Sequence, residues 1–242
     1  MRLLTAAIAI VAGLGAASAR PAAIDFHALT PGADRPVGGP SDGDGQALLE
    51  MLGSSHAPQR WKQAPKLTVL ESVMDYRPGG DVEYTATEER LSEAEISELV
   101  GDLTDGLSML TANTFERFSS VAREVVPAGA AASVSRPDQI VIARFSGLRQ
   151  SVKTLGFGGR RTRRDGTITA GAILLDSEFD RTSAKRRLLR THELGHALGY
   201  NHVYSRTSIM NPQIGAEPNE FDRGAATIAF RAPSVVAARQ VQ

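Results

Sequence analysis

Residues 191–202 read THELGHALGYNH, and they constrain the fold more than any other stretch of the chain. His192 and His196 are four residues apart, so on a helix they lie on one face, where both rings can bind the same metal ion. Gly199 suits the end of that helix, where a left-handed conformation is usually needed and glycine adopts it most easily. The turn that follows can bring His202 to the same ion. The sequence therefore predicts a helix, a sharp turn and a three-histidine metal site.

The ligand set predicts one catalytic Zn²⁺. Three imidazoles at about 2.0–2.1 Å suit zinc and leave one tetrahedral position open. The chain has no cysteine, and its other histidines, His27 and His56, lie far upstream in a segment that predicts little structure. We therefore expect water rather than a side chain in the fourth position, which is the arrangement of a catalytic zinc site.

Glu193 directly follows the first ligand and therefore lies close to that water. Zinc brings the pKa of a bound water down to about 7. Glu193 can then take its proton as the water attacks a carbonyl carbon, and can pass it to the leaving amine. The pattern predicts hydrolysis with Glu193 as general base. Histidines that bind no metal, and a zinc ion that is only structural, stay open as alternatives.

Composition excludes several other kinds of site. A chain without cysteine forms no disulfide, no thiolate metal site, no cysteine nucleophile and no lipid anchor on cysteine. Lys+Arg and Asp+Glu both number 27, so net charge gives no argument for a nucleic-acid or membrane partner.

The first 19 residues predict a secretory signal peptide. Arg2 precedes an apolar run to about Ala16, and residues 17–19 supply a small-residue cleavage pattern. The run is too short to span a bilayer comfortably, although a retained anchor is the alternative. We therefore expect a secreted or periplasmic protein with no membrane attachment after signal cleavage.

The rest of the chain predicts two parts. Residues 20–58 are rich in Ala, Pro, Gly and Asp, which predicts a linker or short pro-segment. Residues 59–242 predict one domain. Apolar patterns predict its strands at 67–73, 138–146, 154–158 and 167–176, and its helices at 91–110, 183–199 and 220–230. This order favours an α/β (α+β) fold with one twisted mixed sheet, an active-site helix and a C-terminal helix.

The helix predicted at 91–110 has a well-marked start. Ser92 can cap it, Glu95 completes a capping box, and Leu91 can pack onto Ile96. Six apolar residues then fall on one stripe: Ile96, Leu99, Val100, Leu103, Leu107 and Leu110. We expect the acids of this region to form the solvated face.

The stretch HELGHALGYNH resembles the zinc motif of the metzincin metalloendopeptidases. Those enzymes also carry a tight turn with a methionine beneath the metal. SIMNP supplies Met210, eight residues after His202, and this spacing with Pro212 is closest to the matrixin branch. The resemblance implies a metzincin-like zinc-protease domain that cleaves peptide bonds, with Met210 as the floor of the metal site.

In the order and apolar pattern of its predicted strands and helices, the chain resembles the family over about residues 60–232. TLGFG (154–158) stands where the family has its edge strand, which binds an extended substrate through backbone hydrogen bonds. Leu155, Gly156 and Phe157 are therefore expected to bind substrate. We expect a monomer that acts on protein or peptide substrates and has no nucleic-acid partner. A zinc hydrolase of cell-wall peptides and a non-catalytic zinc-binding protein are the alternatives.

The chain also departs from matrixins. The latency peptide of that family blocks the zinc with a cysteine, which is absent here. If residues 20–58 silence the enzyme, another group must do so, and the candidates are the aspartates Asp25, Asp34, Asp42 and Asp44. With five histidines in the chain, the second, structural zinc site of the family should be missing.

Two charged clusters are expected to be ordinary surface. Asp176, Glu178 and Asp180 could bind calcium, but solvated loop acids are the better interpretation and calcium stays unsupported. RRTRRD (160–165) could steer a substrate or be cut by other proteases, but a solvated loop is the simpler expectation.

Overall fold

The computed structural model describes residues 24–29, 43–54, 58–78 and 82–231, and all element counts refer to these ranges. The strands are β1 (Asp25–Leu29), β2 (Lys66–Leu70), β3 (Ser72–Asp75), β4 (Glu83–Arg90), β5 (Val121–Glu124), β6 (Ala131–Ser133), β7 (Gln139–Ser146), β8 (Gly156–Thr162) and β9 (Ile168–Asp176). The helices are α1 (Gly43–Leu52), α2 (Glu93–Leu110), α3 (Leu148–Val152), α4 (Ser177–Thr182), α5 (Arg186–Leu198) and α6 (Glu220–Arg231).

The described strands form one open mixed sheet, which confirms the predicted α+β fold. From one edge the order is β1-β8-β9-β7-β3-β4-β6, while β2 also pairs with β7 and carries β5 on its other side. β8 is antiparallel to both of its neighbours, whereas β9, β7 and β2 run parallel. The antiparallel strand β8 therefore lies at the side of the sheet, with β1 outside it.

Both faces of the sheet are apolar. In β9, Ile173 and Leu175 face the main core with helices α2, α5 and α6, and Ala172 and Leu174 face a smaller cluster on the opposite side. Successive side chains of a strand point to opposite faces, so a strand covered on both sides reads as a continuous apolar run. Helix α5 carries the histidines from which the active-site helix was predicted, and it packs against one of these two apolar faces.

The start of α2 is as predicted. Ser92 is its N-cap, and Ser92 and Glu95 form both hydrogen bonds of the capping box. Leu91 is buried in the same core as Ile96. The rest of the predicted stripe is buried apart from Val100, which is partly buried.

The predicted strand at 67–73 is two strands, which are separated at Glu71. The Glu71 amide still donates to the Glu124 carbonyl at 2.8 Å, and the Glu71 carbonyl accepts from the Leu91 amide at 2.8 Å. The strand predicted at 154–158 begins at Gly156 and continues to Thr162, so the expectation of a loop over 160–165 is wrong at its start. Arg160 and Arg161 are part of β8, and only residues 163–165 are exposed. A run of arginines reads as surface, but the side chain of Arg160 is buried and holds the end of α5.

The expectation that residues 20–58 lack structure is also wrong in part. Helix α1 buries Ala47 and Met51 in the main core, and the Met51 carbonyl accepts a hydrogen bond from the Asn201 amide at 2.9 Å. A ten-residue helix between Gly-rich and Pro-rich stretches gives too short an apolar pattern to predict. The predicted signal peptide lies outside the described residues. In the described ranges no helix has the length and apolar character needed to cross a membrane.

A buried ion-pair cluster joins α4, α5 and β7. Asp180 is fully buried, and its carboxylate accepts hydrogen bonds from Arg144 and Arg190, each at 2.7 Å. Asp176 caps α4, and Glu178 pairs with Arg149. The expectation that Asp176 and Asp180 are solvated loop acids is therefore wrong. The Asp176 carboxylate accepts a hydrogen bond from the backbone of α4, and the Asp180 carboxylate pairs with two buried guanidinium groups.

Replacement of Asp180 tests this cluster. Asp180→Ala removes the carboxylate that two buried guanidinium groups share, so the free energy of unfolding should fall by about 3–5 kcal/mol. Urea denaturation followed by the fluorescence of Trp61, the single tryptophan of the chain, measures this change. Glu178→Ala is the control, because its side chain is 63% exposed; its effect should stay below about 1 kcal/mol. Equal losses in both variants would contradict the assignment.

Candidate metal centre

Helix α5 carries the first two histidines and ends where the sequence predicts. Gly199 closes it with φ +121°, and a Cβ at this position would come within 2.3 Å of the Gln59 carbonyl oxygen. Both the backbone angle and the close approach therefore require glycine. Trp61 Nε1–H donates to the Ala197 carbonyl at 2.9 Å and Arg160 donates to the His196 carbonyl at 3.3 Å. The Trp61 donor thus satisfies a carbonyl in the last turn of the helix, where backbone acceptors commonly lack an intrahelical partner. Arg160 adds a second donor to the His196 carbonyl, which also accepts from the Gly199 amide at 3.2 Å.

The three predicted ligands converge on one point. The Nε2 atom of His196 lies 3.1 Å from Nε2 of both His192 and His202, and the latter two are 3.3 Å apart. A tetrahedral ion with bonds of about 2.0–2.1 Å separates its ligands by about 3.3 Å. The spacing of the three nitrogens therefore fits a zinc ion.

Hydrogen bonds fix which ring nitrogen faces that point. His192 Nδ1 is 2.7 Å from the Ile209 carbonyl oxygen, and His196 Nδ1 is 2.8 Å from that of Tyr200. A carbonyl only accepts, so each Nδ1 carries the proton and each Nε2 presents a lone pair. Two such lone pairs in contact repel each other unless a cation lies between them.

Burial keeps the rings neutral. Desolvation, followed by the charge on His202, lowers the pKa of His192 to about 3. Desolvation also lowers the pKa of His202 to about 4 and that of His196 well below its usual range. Neutral imidazoles are the form that binds metal ions, so the site is prepared for a cation at neutral pH.

Glu193 is fully buried, and neither oxygen of its carboxylate has a partner with hydrogen-bond geometry. Its Oε1 lies against β8, where a Cβ added to Gly156 would come within 2.7 Å of it. Burial raises the pKa of Glu193 well above its usual range, and the nearby Gly158 backbone amide lowers it only in part. Unpaired buried polar atoms are rare, and a carboxylate held this way is suited to accept a proton.

Met210 lies directly beneath α5. It is fully buried, and a Cβ added to Gly195 would come within 2.4 Å of its sulfur. The turn that carries Met210 also contains Ile209, whose carbonyl orients His192. Gly195 therefore allows helix and turn to approach closely, in the place where the resemblance puts the floor of the site.

Asp222, on α6, is a residue that the sequence analysis missed. Its buried carboxylate accepts hydrogen bonds from Ser208 Oγ at 2.5 Å and from the Ile209 amide at 3.2 Å. Since Ile209 in turn contacts His192, Asp222 holds the metal-site turn from behind. The signal was present in the sequence: Asp222 falls on the apolar stripe of α6, beside Phe221 and Ala225.

The edge strand is also present, but it is covered. Gly156 and Phe157 lie in β8 as predicted, and Leu155 directly precedes it. β1 pairs antiparallel with β8, opposite residues 156–160. The expectation that His27 is remote from the metal site is therefore wrong, because its ring stacks on that of His196 with centroids 4.7 Å apart. A contact between segments so distant in sequence leaves no local signal.

Comparison with known protein families agrees with this geometry. The sequence pattern of the matrixin family matches residues 73–224, which is more than half of the 242-residue chain. The matched range contains the three clustered histidines, Glu193 and Met210, and it does not include β1 or α1. A comparison with curated proteins finds no match.

The contact between Gly195 and Met210 gives a testable prediction. Replacing an exposed glycine in a helix by alanine normally stabilises a protein by about 0.5–1 kcal/mol. We expect that gain for Gly101→Ala, because nothing lies within 4 Å of the added methyl group. Gly195→Ala should instead lower the free energy of unfolding by about 1–3 kcal/mol, since Met210 must shift. Urea denaturation compares the two variants, and stabilisation by both would refute the contact.

Proposed function

Because this chain belongs to the matrixin family of zinc metallopeptidases, we propose that it is an exported endopeptidase with Glu193 as general base. Zinc would be held by His192, His196 and His202. The observation that carries the proposal is the combination of three convergent Nε2 atoms and a buried, unpaired carboxylate next to the first ligand in the sequence.

The residues of the site support this chemistry. A zinc ion held by the three histidines would supply Lewis acidity, which would acidify a water molecule and polarise the carbonyl of the scissile bond. The Glu193 carboxylate would accept the proton that this water loses and would return it to the leaving amine. The burial that raises the Glu193 pKa makes the carboxylate a stronger base than an exposed one.

Substrate binding is proposed for strand β8. An extended peptide can add to a sheet edge through backbone hydrogen bonds and needs no particular side chains to do so. Gly156 and Phe157 would then lie beside the scissile bond, because Gly156 contacts the Glu193 carboxylate. Protein or peptide substrates fit this mode. Export is proposed on the sequence of residues 1–19, and matrixins are typically secreted.

A second candidate is a non-catalytic zinc-binding protein. One observation favours it: the His27 ring stacks on His196, and a fourth protein ligand is the mark of a structural zinc site. The two candidates differ in what removal of His27 does. An enzyme would gain an accessible metal position and activity, and a structural site would only lose a ligand.

Glu193→Gln tests the assigned base. Because the His27 ring lies over the site, the comparison is made in chains that also carry His27→Ala. The glutamine cannot take a proton, so the rate of cleavage of a reduced and alkylated protein should fall by roughly 10²–10⁴-fold. Bound zinc, measured by atomic emission, should stay at the level of the parent.

Glu178→Gln is the control for this test, because Glu178 is an exposed carboxylate paired with Arg149. It should leave the rate unchanged. Cleavage by the Glu193→Gln chain at the rate of its parent would exclude Glu193 as the base, provided that a chelator abolishes cleavage in both.

A further inference from the structure

Strand β1 occupies the position that an extended substrate would take. It is the outermost strand of the sheet and pairs antiparallel with β8, with His27 opposite Gly158 and residue 29 opposite Gly156. The sheet edge proposed for substrate is thus filled by the protein's own chain. A peptide can reach the backbone groups of β8 only if β1 leaves.

The register turns His27 toward the metal site. Residues directly opposite each other on neighbouring strands point to the same face. A Cβ added to Gly158 would come within 2.7 Å of the His196 Cβ, so this face looks onto α5. Opposite Gly158, the His27 side chain is directed to the same helix, where it stacks on His196 and lies edge-on to His202 at 6.1 Å.

The His27 ring has a nitrogen without a partner. Its Nε2 atom is buried and makes no hydrogen bond, because the nearest carboxylate oxygen, of Asp25, is 3.8 Å away. Buried polar atoms are normally satisfied, so an orphaned imidazole nitrogen beside three metal ligands points to a metal ion as its partner. The aspartate expected from the sequence to block the site does not do so, since the Asp25 side chain is 79% exposed.

The sheet edge is shaped for β1. A Cβ at Gly159 would come within 2.7 Å of the Asp25 carbonyl oxygen, of Ile24 and of Phe26. Ile24 is buried on the opposite face from His27, and Phe26 packs edge-on against Phe157 at 6.3 Å. The close fit at Gly159 and the two apolar side chains hold the strand in place.

We propose that β1 is an autoinhibitory strand, and that His27 blocks the zinc site as a fourth, removable ligand. This inference rests on the proposed function, since it describes the regulation of that same site. Among the described residues, the ring nitrogens that converge on one point are those of His192, His196 and His202, and the group does not include His27. The His27 ring stacks on one of them, so ligation requires it to turn about its side-chain bonds. His27 and β1 lie outside the residues matched by the family pattern, so the match itself gives neither of them a role.

Removal of the block requires β1 to leave its edge. β1 has a single neighbouring strand and five residues, so relatively few contacts hold it. A cut after β1, or a competing substrate, would free both the sheet edge and the metal position. A site closed in most molecules binds a ligand more weakly in proportion to its open fraction.

The test uses the full chain with cobalt in place of zinc. The visible absorption of Co²⁺ reports its ligands, and acetohydroxamate, a small oxygen ligand, probes for an accessible position. We expect His27→Ala to change the absorption spectrum and to bind acetohydroxamate at least about tenfold more tightly than wild type. His56→Ala is the matched control, because it removes the other upstream histidine, and it should behave as wild type.

A second variant acts on the strand and leaves every histidine in place. Gly159→Ala adds a methyl group where β1 must pass, so it should displace the strand and open the metal position as His27→Ala does. Equal acetohydroxamate affinity and equal spectra in wild type, His27→Ala and Gly159→Ala would overturn the inference.

Proteolysis of a reduced and alkylated protein, measured on the same samples with zinc, separates the two proposals. Cleavage by His27→Ala at least about tenfold faster than wild type supports both. An opened metal position without cleavage of any protein keeps the block and refutes the endopeptidase. Equal cleavage by wild type and His27→Ala, with unchanged cobalt spectra, keeps the endopeptidase and refutes the block.

Discussion

The metal centre depends on how closely helix α5 packs against strand β8 and against the turn that carries Met210. Glycine makes each approach possible: Gly158 lies against the backbone of Glu193, and Gly195 lies against the Met210 sulfur. A side chain at either position would push the helix away from its neighbour. The histidines of α5 are thus held under the edge of the sheet, at the place where an extended peptide would lie.

That packing also sets the electrostatics of the site. It removes water from His192, His196 and Glu193, which keeps both imidazoles neutral and makes the carboxylate basic. Carbonyl groups orient the rings so that the Nε2 lone pairs converge. Because uncompensated lone pairs and an unpaired buried carboxylate are costly, we expect a bound cation to stabilise the site.

The sequence predicted what local patterns encode. The four-residue spacing of two histidines places them on one helix face, Ser92 and Glu95 form the predicted capping box, and Gly199 ends α5. It did not predict contacts between distant segments. Water is the expected fourth ligand because His27 is far from the other three histidines in sequence. Strands that are distant in sequence can nevertheless pair, and the pairing of β1 with β8 brings His27 to the site.

The other wrong predictions concern the exposure of charged residues. The sequence predicts Arg160 and Asp180 at the surface, since charged side chains are usually exposed. Arg160 instead donates to the His196 and Tyr200 carbonyls at the end of α5, and Asp180 pairs with two buried arginines. Asp222 was missed although its place on an apolar stripe was visible. Each of these groups is buried because its partner comes from another element, which a single sequence does not reveal.

The most direct measurement is a crystal structure of the full chain grown with zinc, with diffraction recorded on both sides of the zinc absorption edge. We expect one anomalous peak about 2.0–2.1 Å from Nε2 of His192, His196 and His202. We also expect β1 on the edge of the sheet, with the His27 ring beside that peak. A peak elsewhere in the chain, or none, would rule out a zinc site formed by these three histidines.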